Sequence, residues 1–268
     1  MDILNELPPD QFREVDDLLA FVSIYDDRRR TKAFLRLLRR HRRAIRGGVC
    51  VEAGCGFGIF SEAMANMGAR KVYAVEQNPI LARIARKRLA SYANVEVVEE
   101  AIQQFRPPEP VDVLVHDFFG QLLYDEDLWA LDHLRFQPQL VLPSQAELAY
   151  GVVDSRDYVD ESVTPDVLAG LKGALVSGLF EEKGGELRGV AVSWNYPTGL
   201  STGPVDIRDR PGDLLVFGLR ILDNGETVCE AARCPNWSYV WTPRAGDRFL
   251  LRFVPDVFGS KCLFEWLE

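Results

Sequence analysis

The fold is decided by the stretch Val49-Cys50-Val51-Glu52-Ala53-Gly54-Cys55-Gly56-Phe57-Gly58. Its first half is mainly apolar and β-branched, as in a buried strand, and a helical pattern follows from Ile59. Glycine has no Cβ, so the turn between the strand and the helix can adopt a positive φ or approach a ligand closely. The stretch therefore predicts a strand, a glycine loop and a helix that together bind a nucleoside-type cofactor.

The spacing of the glycines narrows the choice of cofactor. The dinucleotide fingerprint G-x-G-x-x-G would place its third glycine at position 59, where this chain has Ile59. The loop also lacks the Lys-Ser/Thr pair of a P-loop. Glu76 ends the second predicted strand, where a carboxylate can accept hydrogen bonds from both ribose hydroxyls and would repel a 2′-phosphate. The alternative for Glu76 is an exposed carboxylate at a strand end.

Strands and helices alternate on both sides of the glycine loop. Strand-like runs are Val49–Ala53, Lys71–Val75, Val95–Val98 and Val111–His116, and helical patterns cover about Pro9–Val22, Thr31–Arg46, Ile59–Met67, Pro79–Ser91 and Leu122–Arg135. Strands separated by helices indicate a parallel sheet with right-handed crossovers. We expect an α/β, Rossmann-like cofactor-binding domain, preceded by helices, over residues 1–143.

The sequence changes character after Pro143. Strand-like runs follow one another, separated by turns: Gln145–Val153, Leu187–Trp194, Leu214–Leu222, Thr227–Arg233, Trp237–Trp241, Arg248–Val254 and Lys261–Trp266. Asp223-Asn224-Gly225 is typical of a hairpin turn. Residues 144–268 are therefore predicted to form a β-rich substrate-binding domain, a barrel or a sandwich.

Composition limits the possible partners. The 268 residues contain 31 Lys and Arg against 40 Asp and Glu, a net charge of −9, and this field opposes nucleic acid. One segment, Arg28–Arg46, concentrates nine arginines and a lysine. It is either a patch for nucleic acid or anionic lipid, or the solvated face of a helix whose apolar stripe is Phe34, Leu37, Leu38, His41 and Ile45. The helical spacing of that stripe favours the solvated face.

The expected cellular location is based on a search of the sequence for a membrane span and a signal peptide. No run reaches the roughly 18 apolar residues of a membrane span, and the N-terminus, MDILNELPPDQF, does not have the layout of a signal peptide. Five cysteines, without a pair spaced for zinc or redox chemistry, suggest reduced thiols and no metal site. We expect a cytoplasmic protein with no membrane partner.

Several motifs resemble the protein arginine methyltransferases. The stretch Ile24-Tyr25-Asp26-Asp27-Arg28-Arg29-Arg30-Thr31 is similar to that family's M-L-x-D-x-x-R-T, and the glycine loop and Val72–Gln77 continue the likeness in register. The resemblance implies S-adenosylmethionine (SAM) as cofactor, with Arg30 holding its carboxylate. Glu52 could pair with its amino group, since a half-buried carboxylate needs a cation. The expected cofactor-binding residues are Arg30, Glu52, Gly54, Cys55, Gly56, Gly58, Glu76, Gln77, Ile102 and Gln103, the last standing where the family usually has Glu.

The resemblance also implies the methyl acceptor. The family's acidic loop, S-E-x-M-G-(x)-L-x-x-E, is similar to residues 116–126, which places Asp117 and Glu126 at its two acidic positions. Its T-H-W loop is similar to Pro235-Asn236-Trp237. We expect Asp117 and Glu126 to clamp a guanidino group, with Asn236 and Trp237 completing the catalytic set. A guanidinium is a poor nucleophile because its charge is delocalised, and two carboxylates can localise that charge away from the reacting nitrogen.

Departures from the family pattern leave alternatives open. Asp117 is shorter than Glu by about 1.5 Å of reach, Asn236 cannot carry a charge, and Phe21 stands where the family often has histidine. No dimerisation arm is evident between Asp154 and Val205, although a homodimer remains possible.

The same residues also allow purely structural interpretations. Asp117 and Glu126 could be a solvated loop acid and a helix N-terminal acid, and Trp237 could be core. The neighbouring Asp125 and Asp127 are expected to face solvent. The alternative functions are methyl transfer to an amine, hydroxyl or carboxylate of a small metabolite, served by Asp117 or His116, and a SAM-binding scaffold without turnover.

Overall fold

The chain folds into a parallel sheet flanked by helices, followed by two antiparallel sheets. The computed structural model describes residues 8–160, 162–178, 187–256 and 259–268. The predicted fold class, a Rossmann-like unit followed by a β-rich unit, is confirmed.

The described helices and strands have the following bounds. The helices are α1 (Pro9–Asp26), α2 (Arg28–Arg40), α3 (Arg42–Ile45), α4 (Ile59–Asn66), α5 (Pro79–Leu89) and α6 (Pro165–Gly170). The strands are β1 (Val49–Ala53), β2 (Lys71–Glu76), β3 (Val95–Glu99), β4 (Val113–His116), β5 (Leu140–Leu142), β6 (Gln145–Val153), β7 (Val176–Ser177), β8 (Gly189–Asn195), β9 (Gly199–Thr202), β10 (Val205–Asp206), β11 (Leu214–Asp223), β12 (Glu226–Glu230), β13 (Val240–Pro243), β14 (Arg248–Asp256) and β15 (Gly259–Leu267).

The parallel sheet has the strand order β3-β2-β1-β4-β5, with β1 at its centre. Every residue of β1 is buried, and Val51 lies opposite Tyr73 on one side and Leu114 on the other. The carboxyl ends of β1, β2 and β4 therefore meet at one edge. The strand order reverses between β1 and β4, and a crevice at such a point is where open α/β sheets bind ligands.

The basic segment forms two helices rather than the single predicted one. Asp27 caps α2 by accepting hydrogen bonds from the backbone N–H groups of Arg29 and Arg30, so the helix begins three residues earlier than predicted. It ends at Arg40, and the C-cap residue His41 has its Nε2 3.0 Å from Asp223 Oδ2 in the second half of the chain. The apolar stripe of α2 is buried and most of its cationic side chains are exposed, as expected for a solvated basic face.

The α-helix predicted over Leu122–Arg135 is wrong. The chain instead makes a tight turn in which Leu123 has a φ of 76°, and a 3₁₀ helix follows at Asp127–His133. Asp125 Oδ1 accepts a hydrogen bond from the N–H of Leu122, 2.8 Å away. Such a side-chain bond to the backbone competes with helix formation, and it fixes the turn immediately before Glu126.

The second half contains the predicted β structure in two sheets. One has the order β7-β13-β11-β6-β8-β9, with β12 paired to β11, and the other has the order β10-β14-β15. The predicted hairpin at residues 223–225 is confirmed, since Asn224 and Gly225 have φ values of 50° and 79°. The two sheets pack together through aromatic rings, with Phe217 and Phe249 centred 5.5 Å apart.

Two expectations for the segment after β12 are wrong. The strand predicted at Thr227–Arg233 already ends at Glu230. The strand predicted at Trp237–Trp241 begins only at Val240, so Trp237 lies in the loop between β12 and β13. Cys229 of β12 and Cys234 of this loop form a disulfide, which contradicts the expectation that the five cysteines are reduced thiols. Their sequence separation of five matched none of the spacings that would have marked them as a pair.

The change from one type of sheet to the other occurs between Leu142, the end of β5, and Gln145, the start of β6. One continuous cluster of buried apolar residues extends through both halves, and the domain boundary expected at 143/144 stays a prediction. No helix in the described part of the chain is long and apolar enough to cross a membrane. Residues 1–7 of the N-terminal segment, and residues 161 and 179–186 of the segment searched for a dimerisation arm, lie outside the described residues.

Candidate active site

The glycine loop connects β1 to α4 at the carboxyl edge of the sheet. Gly54, Gly56 and Gly58 all have positive φ values, of 64°, 51° and 76°. A Cβ added to Gly54 would collide with Cε1 of Phe118, the residue two positions after β4. The close approach of these two loops requires glycine at position 54.

Glu76 lies at the end of β2 and is 4% exposed. Its Oε2 accepts a hydrogen bond from the N–H of Gly56 and its Oε1 accepts one from the N–H of Asn78, each at 2.8 Å. Burial raises the pKa of Glu76 above the usual range of a glutamate, and these amide donors oppose that change. Each oxygen of the carboxylate keeps a further lone pair, so the group can still accept hydrogen bonds from a ligand.

Glu52 lies on β1 and is 3% exposed. Its Oε2 accepts hydrogen bonds from both the N–H and the hydroxyl of Ser61, which fastens the first turn of α4 to the strand. Burial raises the pKa of Glu52 to about 8. Glu52 also lines a small cavity of about 40 Å³ together with Arg30, His116 and Asp117.

Arg30 and Asp117 form a buried ion pair between α2 and the loop after β4. Arg30 Nε lies 2.7 Å from Asp117 Oδ2, and the two side chains are 5% and 15% exposed. The Arg30 guanidinium also lies 4.1 Å from the centre of the Trp237 ring, and Trp237 Nε1 donates a hydrogen bond to the carbonyl of Phe119 at 3.0 Å. Within the described residues, neither Nη of Arg30 makes a hydrogen bond and Asp117 Oδ1 is buried without a partner.

The loop that carries Trp237 is attached to the first two helices. Asp27 Oδ2 accepts a hydrogen bond from the N–H of Asn236 at 3.3 Å, and Asn236 Nδ2 donates one to the Ser23 hydroxyl at 3.2 Å. Asp27 is 4% exposed and its other oxygen caps α2. One carboxylate thus positions both Arg30 and the loop beneath it.

Helix α1 also contacts the glycine loop. The Tyr25 hydroxyl accepts a hydrogen bond from the N–H of Phe57 at 3.2 Å, and the rings of Tyr25 and Phe57 stack with their centres 4.7 Å apart. Phe21, which lies on α1 like Tyr25, also packs against Phe57. The carboxyl edge of the sheet is thereby covered by aromatic side chains.

A second cavity, of about 590 Å³, opens at this edge. That volume is within the range of small-molecule sites. Five of its seventeen lining residues are carboxylic acids, and none is lysine, arginine or histidine: Glu76, Glu100, Asp117, Glu126 and Asp127. Such a lining favours a ligand that carries positive charge and hydroxyl or amine donors.

Glu126 lies where the tight turn meets the 3₁₀ helix, and its side chain is exposed to the solvent of the cavity. The surrounding protein raises the pKa of Glu126 to about 7, with desolvation as the largest cause and the negative charge of Asp125 next. Burial raises the pKa of Asp117 as well, and Arg30 opposes that change. The expectation that Asp125 and Asp127 face solvent is wrong: Asp125 is used in the turn, and Asp127 lines the cavity.

The structure brings together most of the residues that the sequence singled out. Gly54, Glu76, Gln77, Ile102, Gln103, Asp117 and Glu126 line the larger cavity, and Arg30, Glu52 and Gly54 line the smaller one. Cys55 is fully buried and, like Gly56 and Gly58, lines neither cavity, so these three shape the loop. Sequence reasoning gave no role to Asp27, Tyr25 or Asp127, although Asp27 stands at the Asp of the M-L-x-D-x-x-R-T motif and could have been singled out from it.

The two cavities provide the groups that an adenosyl amino acid needs. Glu76 can hold ribose hydroxyls, Ile102 and Gln103 offer an apolar contact and an amide for a base, and Arg30 offers unpaired Nη donors to a carboxylate. Buried acceptors without partners, Asp117 Oδ1 and His116 Nδ1, are present beside the same space. The residues fit such a cofactor.

Known proteins share the domain match and the fold of this chain. Residues 50–134 match a family described as Methyltransferase domain. A solved structure titled as PRMT6 superposes with a TM-score of 0.67 at 14% identity, covering 94% of this chain and 99% of that one. A Trypanosoma brucei PRMT1 enzyme–prozyme complex with AdoHcy gives 0.65 at 14% identity, covering 91% and 97%. The fold is that of the protein arginine methyltransferases.

The sequence is also similar to proteins that are named protein arginine N-methyltransferases. The chain is 31% identical to a probable protein arginine N-methyltransferase 6 of Arabidopsis thaliana, over 54% of this chain and 36% of the relative. It is 29% identical to protein arginine N-methyltransferase 6 of Danio rerio, over 51% of this chain and 41% of the relative. The matches thus span well under half of those relatives. The resemblance read from the motifs is supported by the fold and by the relatives together.

Proposed function

We propose that this protein transfers a methyl group from SAM to a guanidino nitrogen of arginine, in a protein, a peptide or a small molecule. The observation that carries the proposal is the acid-lined cavity at the carboxyl edge of the parallel sheet, which contains Glu126 and shares Asp117 with the smaller cavity lined by Arg30. The likeness to named arginine methyltransferases supports the same conclusion.

The chain's own residues account for cofactor binding. Arg30 would hold the carboxylate through its free Nη atoms, Glu52 the amino group, Glu76 the ribose hydroxyls, and Gln77, Ile102 and Gln103 the adenine end. When bound, SAM supplies a methyl group already activated by the sulfonium. Trp237 keeps the Arg30 guanidinium in place by stacking beneath it.

The acceptor end is built from Asp117 and Glu126. Asp117 uses Oδ2 for Arg30 and keeps Oδ1 for an incoming N–H, and the exposed Glu126 carboxylate lies across the same cavity. Together they would attract the guanidinium and localise its charge on the nitrogens that do not react. Since the pKa of Glu126 is about 7, its carboxylate can also accept the proton released on transfer.

The test is incubation with labelled SAM and three acceptors: free arginine, an arginine-rich peptide and a cell extract. We expect label on a guanidino group, and we expect Glu126→Gln to abolish turnover while SAM affinity changes by no more than about threefold, because Glu126 contacts the acceptor. Asp132→Asn is the matched control, since Asp132 is an acid of the same 3₁₀ helix that does not line the cavity. Label on amines or phenols alone would exclude arginine as the acceptor, and tight SAM binding without turnover would favour a scaffold. The cytoplasmic location, the homodimer and the division at 143/144 stay predictions.

A further inference from the structure

The disulfide between Cys229 and Cys234 closes a short loop at the end of β12. Within this loop Ala232 has a φ of 62°. A residue other than glycine is unfavourable in this left-handed region, and it stays there only where the surrounding structure enforces it. The disulfide is one constraint on the loop, and the hydrogen bond from the N–H of Cys234 to the carbonyl of Glu230, at 3.2 Å, is another. Breaking the S–S bond therefore allows the backbone at Ala232 to relax.

Both backbone polar groups of Trp237 are bonded to this closed loop. The N–H of Trp237 donates a hydrogen bond to the carbonyl of Cys234 at 3.0 Å, and the carbonyl of Trp237 accepts one from the N–H of Ala232 at 2.9 Å. The ring of Trp237 lies 4.1 Å from the guanidinium of Arg30, the group proposed to hold the carboxylate of SAM. Two direct contacts thus connect the disulfide to the cofactor site.

Other contacts hold the rest of the loop and do not involve the S–S bond. Asn236 is bonded to Asp27 and to Ser23. Trp237 Nε1 donates a hydrogen bond to the carbonyl of Phe119 at 3.0 Å. Breaking the S–S bond is therefore expected to release the backbone of Trp237 on one side, while the loop stays attached to the first two helices. The expected consequence is a displaced ring and a less well held Arg30, without unfolding of the domain.

We propose that Cys229 and Cys234 are a site of thiol–disulfide modification that controls the affinity for SAM. The disulfide form keeps Trp237 against Arg30 and binds SAM tightly, whereas the dithiol form binds it weakly. A dithiol reductant supplies two electrons and two protons, so the S–S bond is replaced by two S–H groups while the reductant becomes a disulfide. The inference rests on the proposed function, since it requires Arg30 to bind the carboxylate of SAM. Because such coupling is reciprocal, bound SAM also makes the disulfide harder to reduce.

The test is titration calorimetry on the wild-type chain purified without reductant and on the same protein reduced with dithiothreitol. Two ligands are compared: SAM, and 5′-methylthioadenosine, which keeps the adenosine but lacks the amino acid. We expect reduction to weaken SAM binding about tenfold, the size of one desolvated cation–π contact. The affinity for 5′-methylthioadenosine should stay within about twofold, because this ligand has no carboxylate for Arg30. Equal SAM affinities in the two redox states, or parallel weakening of both ligands, would overturn the inference.

Variants and thiol labelling identify the cysteines responsible. The double variant Cys229→Ser/Cys234→Ser should bind SAM as the reduced wild type does and should not respond to dithiothreitol. Cys262→Ser, which removes a free cysteine, is the matched control and should respond as the wild type does. Alkylation of the unfolded chain should label the three free cysteines before reduction and all five after it. Labelling of all five without reduction would also overturn the inference.

A redox titration does not depend on the folding of any variant. In SAM that saturates both forms, a tenfold difference in affinity lowers the midpoint potential of the disulfide by about 30 mV. A midpoint that SAM does not change would contradict the coupling. If the disulfide form binds neither SAM nor 5′-methylthioadenosine, the proposed function and the inference fail together, whereas SAM binding that is independent of the redox state would refute only the inference.

Discussion

Replacing Arg30 by methionine tests the ion pair that connects α2 to the acidic loop. The substitution removes the charge that lies 2.7 Å from Asp117 Oδ2 and keeps an unbranched side chain to pack on Trp237. Removing one partner of a buried pair typically costs about 3–5 kcal/mol, because the other charge is left uncompensated. Asp117 keeps 15% exposure, so we expect the lower end, a loss of about 3 kcal/mol in the free energy of unfolding.

The assay is urea denaturation followed by tryptophan fluorescence, applied to wild type, Arg30→Met, Asp117→Asn and the double variant. Neutralising Asp117 in the Arg30→Met background removes the uncompensated charge, so the cycle should give a coupling free energy of about 2 kcal/mol. A coupling within about 0.5 kcal/mol of zero, the usual error for independent sites, would refute the ion pair as a stabilising element.

The pH dependence of the same variant has a defined sign. Burial raises the pKa of Asp117 and Arg30 lowers it, so Arg30→Met leaves the pKa further above its unfolded value. The folded state then binds a proton more tightly than the unfolded state, and stability is lost as pH rises from about 4 through the raised pKa. The loss in the free energy of unfolding of Arg30→Met relative to wild type should increase over that pH interval. The double variant should show no such pH-dependent loss. A deficit that does not change with pH would contradict the assignment to Asp117.

Two further predictions concern protons in the site. The pKa of Glu126 is about 7 and its ionised form is needed to hold a cationic acceptor, so kcat/KM should fall about tenfold per pH unit below that value. A kcat/KM that stays constant down to pH 5.5 would contradict this role of the ionised Glu126. The pKa of Glu52 is about 8, and a bound ammonium would lower it, so SAM binding at pH 7.5 should release about half to three quarters of a proton from Glu52. Calorimetry in buffers of different ionisation enthalpy measures this release. Equal release by wild type and Glu52→Gln would exclude Glu52 as the source.

The parallel sheet could be predicted because its signals are local. β1 is a short apolar run bounded by glycines, and its position at the centre of the sheet accounts for the burial of every residue in it. The α-helix predicted over 122–135 failed because its apolar spacing was compatible with a helix, whereas the side chain of Asp125 closes a turn on Leu122. A single hydrogen bond of this kind does not alter the periodicity from which the helix was predicted.

The site could be predicted residue by residue but not contact by contact. Motif positions identified Arg30, Asp117 and Trp237 separately. Their mutual arrangement depends on tertiary packing, since Arg30 and Asp117 are 87 residues apart in the chain. The disulfide that connects Cys229 of β12 to Cys234, in the loop of Trp237, was missed because a spacing of five residues matches no common metal or redox motif.

Asn236, at the position of the family's loop histidine, is compatible with the geometry around it. Asp27 accepts hydrogen bonds from three backbone N–H groups: those of Arg29, Arg30 and Asn236. These three amide donors attach the loop to α2 without a histidine side chain. The loop is also held by a neutral contact, from Asn236 Nδ2 to the Ser23 hydroxyl. Trp237 is therefore kept beneath Arg30 by hydrogen bonds from the backbone and from the amide side chain of its neighbour Asn236, so a histidine at position 236 is not needed to hold the loop.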